Sequence, residues 1–128
     1  GMISETASGL NDRQILVLQK VFDFVEENFS HPITAQDAAD VAEMTYSYFS
    51  RFFKRAVGKS FTDYLTHFRL LEAEKRLLQS EDSITDITAD VGFTSSSYFI
   101  AQFKRAKGES PLQYRKQLMS IAPARRDA

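Results

Sequence analysis

Residues 60–80 read SFTDYLTHFRLLEAEKRLLQS, with neither Gly nor Pro among them. Ser60 followed by Asp63 is a helix-start signature: the hydroxyl takes an orphan amide and the carboxylate reaches back to it. The Leu, Glu, Ala, Lys and Arg that follow sustain a helix by propensity. Its apolar residues make two faces. Phe61, Tyr64, Leu65, Phe68 and Leu71 fall on one side at helical spacing, and Leu70, Ala73 and Leu77 fall nearly opposite. A helix that is apolar on one face early and on the other late is expected to serve two cores in succession. At about 1.5 Å per residue it forms a continuous strut of about 30 Å.

The flanks carry a duplication. FSRFFKRAVGKS at 49–60 and FIAQFKRAKGES at 99–110 agree at seven of twelve positions. Tyr48 and Tyr64 match Tyr98 and Tyr114. Further upstream, with the offset one residue shorter, Thr34-x-x-Asp37 matches Ser83-x-x-Asp86 and Met44-Thr45 matches Phe93-Thr94. Two copies are too few for a solenoid and predict two similar units.

Composition narrows the classes. The chain has 128 residues, 43% of them apolar, enough for one domain or two very small ones. Each repeat has roughly fifty residues, a size at which an isolated core is marginal. There is no Cys, hence no disulfide framework, thiol nucleophile or Cys-based zinc site. No apolar run is long enough to span a membrane, and no signal-peptide pattern is present. These features predict a soluble, cytoplasmic protein. Gly1 ahead of Met2 reads as a residue left by tag removal.

Taken in order, the chain predicts seven helices and no strand. Residues 1–11 are small and polar and predict disorder. Asn11 or Asp12 caps a helix to about Phe29, with Ile15, Leu18, Phe22, Val25 and Phe29 on its apolar face. Thr34 caps a short helix to about Ala42. Thr45 caps a basic helix that stops at Gly58 and buries Phe49, Phe52, Phe53, Ala56 and Val57. The short and basic helices form a helix-turn-helix unit, within a first subdomain at 12–59. After the strut at 60–80, a second such subdomain occupies 81–120. Ser83 caps its short helix, with Ile84, Ile87 and Val91 apolar; Gly92-Phe93 makes the turn. A basic helix runs from Ser96 to Lys107. Ser110-Pro111 opens the last helix, where Tyr114 and Leu118 can bury themselves. The tail at 121–128 is expected to fray. The fold class is all-α: two helix-turn-helix subdomains joined by a long shared linker helix.

Net charge is only −1, but its distribution is uneven. Arg51, Lys54, Arg55 and Lys59 lie in an acid-free stretch, as do Lys104, Arg105 and Lys107. Basic patches at matching places in two repeats are a footprint for a polyanion; solvated helix faces are the plain alternative. On the first basic helix Ser47, Ser50, Arg51 and Lys54 share one face at i, i+3, i+4, i+7, with Tyr46 and Tyr48 beside it and Arg55 following. Arg suits guanine, Ser suits base edges or phosphate, and Lys suits phosphate. The matching face of the second basic helix carries Ser97, Ile100, Ala101, Lys104 and then Arg105, with Ser95 and Ser96 at its start. Hydroxyls there suit phosphate or ordinary N-capping. His31 and His67 are isolated, the carboxylates are dispersed and no Gly-rich loop exists. No catalytic set, metal site or cofactor is expected.

These residues together resemble the DNA-binding domain of the AraC-type family of bacterial transcription regulators. The resemblance rests on Gly58, Tyr64, Arg69, Ala73 and Leu77-Leu78 in the first half and linker. In the second half it rests on Ile87, Gly92-Phe93, Ser97-Tyr98-Phe99, Phe103-Lys104, Gly108, Pro111 and Tyr114-Arg115. It spans about residues 15–118. It implies sequence-specific binding of double-stranded DNA, with the two units in successive major grooves. It also implies RNA polymerase as a partner and an effector-sensing domain on the N-terminal side. The chain departs from the family at Phe61, where Pro is usual, and at Thr88, where Ala is usual. Ala101 stands where Arg is common and Ile100 where a small polar residue is common, which predicts less base readout by the second unit. The competing reading is a helical protein-interaction module whose basic helices hold an acidic partner.

Overall fold

The computed structural model describes residues 9–121, which form α1 (Asp12–Asn28), α2 (Ala35–Val41), α3 (Tyr46–Val57), α4 (Phe61–Gln79), α5 (Ile84–Asp90), α6 (Ser96–Lys107) and α7 (Pro111–Ile121). There is no strand among the described residues. The chain divides into two compact units, with the break between Phe68 and Arg69 inside α4. The linker helix is therefore shared out between the two units. The disorder expected at residues 1–11 and the fraying expected at 121–128 lie outside the described residues except at 9–11 and 121. Leu10 packs against the first core. Asn11 caps α1, accepting the Gln14 N–H at 2.8 Å while the Gln14 side chain accepts the Asn11 N–H at 3.1 Å. Ile121, the last described residue, is helical.

In the first unit, Leu18, Val21 and Val25 of α1 are fully buried. Val21 was not expected on the apolar face, whereas Ile15, which was, is 42% exposed. The buried arc is centred on Leu18 and Val25, and at 100° per residue Ile15 falls at its margin. Ala38 and Ala39 of α2 are fully buried. All five predicted core residues of α3 are buried. Phe53 lies at the centre, its ring 5.5 Å from Phe49, 5.6 Å from Phe61 and from Tyr64, and 6.4 Å from Phe22. Phe61, Tyr64 and Leu65 complete this core, with Phe68 packed on its edge. Leu71, expected on the same face, is 42% exposed, because it follows the break and the first core ends at Phe68. Burial, and secondarily the charge of Glu26, push the Tyr64 hydroxyl up to about 12.

In the second unit Leu70, Ala73, Leu77, Ile87, Val91, Phe93, Phe99 and Phe103 are buried. Thr88, an uncommon hydroxyl in such a core, is satisfied by donating to the Ile84 carbonyl at 2.7 Å. The ring of Tyr114 meets Phe103 edge-on at 5.3 Å, and its hydroxyl donates to Glu74. The same carboxylate holds Lys107 at 3.0 Å. Tyr114 is pushed up to about 12, first by that hydrogen bond and then by burial. Burial pushes Glu74 up, but the Tyr114 and Lys107 hydrogen bonds and the Lys107 charge outweigh it and leave the carboxyl low. A depressed folded-state carboxyl contributes stability above its unfolded pKa and loses it as pH falls through the folded value. Acid titration of stability should therefore show a component below the ordinary carboxylate range that Glu74→Gln removes. Melting curves of both proteins over that pH range test this.

The turns inside the two units match. In the first, Glu43 sits at φ 56°, and the Met44 N–H reaches the Ala39 carbonyl at 3.0 Å. In the second, Gly92 sits at φ 95°, and the Phe93 N–H reaches the Thr88 carbonyl at 3.1 Å. The left-handed region costs a residue with a Cβ about 1–2 kcal/mol, and glycine escapes that strain. Glu43→Gly should therefore raise stability by about 0.5–1 kcal/mol, while Gly92→Ala should lower it by about 1 kcal/mol. Chemical denaturation of both variants checks the pair, and a destabilised Glu43→Gly would contradict it.

Candidate nucleic-acid interface

Each unit mounts one amphipathic basic helix on an aromatic core. Helix α3 begins at Thr45, whose hydroxyl accepts the Tyr48 N–H at 3.2 Å, and ends at Gly58 at φ 93°. Helix α6 begins at Ser95, whose hydroxyl accepts the Tyr98 N–H at 3.1 Å, and ends at Gly108 at φ 85°. Anchoring the phenylalanines inward leaves the opposite face to solvent.

On α3, Ser47, Arg51 and Lys54 are exposed on the side away from Phe49 and Phe53, Ser50 is half-buried at the edge of that face, and Tyr46 is exposed at the first turn on the same side as the phenylalanines. Tyr48 lies at the margin with its ring stacked 6.4 Å from Phe52. Arg55 is exposed at the other end of the helix, lining a cavity of about 230 Å³ with Leu10, Gln14 and Ala56. It faces the start of α1 rather than the middle of the basic face. Lys59 lies beyond the helix end.

On α6, Ser97, Ile100, Ala101, Lys104 and Arg105 are exposed and Ser96 is half-buried. Ser95 serves as N-cap, so one oxygen lone pair is engaged, while its proton remains available to an acceptor. Lys107 is withdrawn from the basic patch by Glu74. Tyr98, which the repeat pairs with Tyr48, is likewise exposed, at 48%, with its ring 6.0 Å from Phe93.

Among the described residues, Arg51, Lys54, Lys104 and Arg105 form no ion pair. Lys75 and Arg76, by contrast, are engaged by Glu72 at 3.0 and 3.1 Å. Neither α3 nor α6 contains an acid. Each of these faces thus presents cations and hydroxyls with no competing carboxylate, which suits phosphates and base edges in a groove. No group of His, Asp or Glu among the described residues is placed to hold a metal ion, and no described helix is long and apolar enough to cross a membrane.

A helix-turn-helix domain family matches residues 38–117. The transcriptional activator RhaS of Pectobacterium carotovorum is 34% identical over 116 residues, covering 91% of this chain and 41% of that protein. The DNA-binding domain of AdpA, solved with a target DNA, superposes with a TM-score of 0.80 at 26% identity, over 83% of this chain and 96% of that one. A regulator of Chromobacterium violaceum, described as containing an AraC-type DNA-binding domain, gives 0.75 at 25% identity, over 84% and 96%. The chain spans under half the length of the curated relatives it matches.

Proposed function

Since the chain belongs to the AraC-type helix-turn-helix family of DNA-binding transcription regulators, we propose that α3 and α6 are its two recognition helices. The family is one of regulators, not of enzymes. The observation that carries this reading is the repeated acid-free face, with Arg51 and Lys54 in one unit and Lys104 and Arg105 in the other. In this reading the two helices enter successive major grooves of one duplex, about 34 Å apart along its axis. Tyr46, Ser47, Ser50 and Arg51 face base edges or the adjoining backbone; Lys54, Ser95, Ser96, Ser97, Lys104 and Arg105 meet phosphates. Arg55 contributes long-range charge from the margin. The protein acts in the cytoplasm on transcription, with RNA polymerase as partner and effector sensing on the N-terminal side.

The two units divide the work. Arg51 is able to pair bidentately with guanine, whereas its counterpart Ala101 has no donor to offer a base. The first unit therefore supplies most of the hydrogen-bonded discrimination, and the second most of the register and backbone affinity. Arg51→Ala should cost about 1–3 kcal/mol and relax preference at one base pair. Lys104→Ala should weaken binding to all sequences alike and flatten the salt slope by about one unit. Binding both variants to a randomised duplex library at several salt concentrations tests this. An unchanged selected sequence for Arg51→Ala would remove its assigned role. Binding to duplex DNA that ignores salt would favour the acidic-partner reading.

A further inference from the structure

Ile100 is 38% exposed, in the middle of the α6 face that Ser97 and Lys104 otherwise define. The inward side of α6 is filled by Phe99 and Phe103, both fully buried, which leaves part of the Ile100 side chain facing solvent. The matching residue on α3 is Ser50, and Ala101 beside Ile100 matches Arg51. The second unit has thus exchanged two hydrogen-bonding side chains for adjoining apolar surface, while keeping Lys104 and Arg105 to hold a polyanion. A bare isoleucine among groups that would press it against a duplex needs an apolar counterpart there. The apolar feature that base pairs present in the major groove is the thymine C5-methyl group.

We propose that Ile100, with Ala101 beside it, reads a thymine C5-methyl group, so that the second unit specifies sequence by apolar contact. This rests on the reading of α6 as a groove helix. Ala101 is the complement: its small side chain lets the helix approach closely enough for Ile100 to touch a methyl, where an Arg would stand it off. Base discrimination is therefore present in both units but differs in kind, with Arg51 hydrogen-bonding in one and Ile100 shape-matching in the other.

Removing the methyl alone, by replacing deoxythymidine with deoxyuridine, tests this without altering any hydrogen-bonding group on the base. Duplexes selected by this chain from a randomised library would carry the replacement one position at a time, in each half-site. Burial of one methyl corresponds to about fourfold in affinity. The expected result is a loss of about that size at one or two thymines of the second half-site. Ile100→Ala should bind the thymine and uracil duplexes alike, about as tightly as the unaltered protein binds the uracil duplex. Equal binding of thymine and uracil duplexes by the unaltered protein overturns the proposal, and so does an Ile100→Ala variant that keeps the thymine preference. An Ile100→Ala variant with unchanged DNA binding but lost transcriptional output assigns the residue to a protein contact and also overturns it. Failure of the unaltered chain to select any sequence would sink the groove-helix reading itself, whereas selection without a thymine–uracil difference sinks only the methyl contact.

Discussion

Phe53→Ala is expected to destabilise the first unit by about 3–5 kcal/mol, the range for truncating a fully buried phenylalanine. The upper part of that range applies because Phe53 has no exposed surface and its ring touches four others: Phe22, Phe49, Phe61 and Tyr64. Those four come from α1, α3 and α4, so the void would open where three helices meet and could not be closed by moving one of them. Small domains have only about 5–15 kcal/mol in total, and a unit of this size sits at the low end. Amide exchange in α1 and α3 should accelerate by orders of magnitude, and duplex binding should fall with it because α3 loses its mount. Phe53→Leu, which retains most of the volume, should lose less than half as much. A loss under about 1 kcal/mol for Phe53→Ala would mean that the site can collapse and that the aromatic cluster is not the centre of this core.

Arg115→Ala is expected to cost the second unit about 2–4 kcal/mol, the effect of removing several charge-assisted hydrogen bonds at once. The Arg115 guanidinium donates from Nε to the Leu77 carbonyl at 3.1 Å and from Nη1 to the Asp82 carbonyl at 2.6 Å. Nη2 adds longer contacts to the carbonyls of Ser80 at 3.3 Å and Arg76 at 3.5 Å. Leu77 lies in the last turn of α4 and Ser80 and Asp82 just beyond it, where helix geometry leaves acceptors without intrahelical donors, whereas the Arg76 carbonyl already accepts the Ser80 N–H at 3.0 Å. A cation there also complements the helix dipole. One planar fork thus closes α4 and fixes the path of the chain towards α5. Arg115→Lys should recover less than half of the loss, since an ammonium is a single point and does not span these acceptors. The exposed neighbour Lys116→Ala should stay within about 0.5 kcal/mol. Chemical denaturation gives the magnitudes, and amide exchange around Ser80 to Ser83 locates the effect. Equal stability of the Ala and Lys variants would show that bulk, not the fork, is what matters.

The two units reach similar architecture by different means at their last helix. Tyr64 closes the first within an aromatic cluster. Its counterpart Tyr114 closes the second by bonding Glu74, and Leu65, the counterpart of Arg115, is simply buried. The duplication preserved the helix pattern and changed what seals it.

Local chemistry was legible in the sequence. The caps at Thr34, Thr45 and Ser83 and the stops at Gly58 and Gly108 depend on contacts within about four residues, so spacing alone locates them. The five buried residues of α3 followed from helical period, and the second helix-turn-helix from the repeat offset. Arg51, Lys54, Ser97 and Lys104 were placed on their faces by the same angular argument, since a helix whose phenylalanines point inward has no choice about its opposite side. The tertiary structure decided which charges remain available and where each core ends. Lys107 looked equivalent to Lys104 until α4 brought Glu74 beside it, thirty-three positions away in the chain. Arg115 is one of two adjacent basic residues on α7, and nothing near it in sequence announces four carbonyl contacts from Arg76 to Asp82. Leu71 obeyed the period and is still 42% exposed. Periodicity states which way a side chain points; whether anything stands there to cover it, or to neutralise it, depends on the packing of helices distant in sequence.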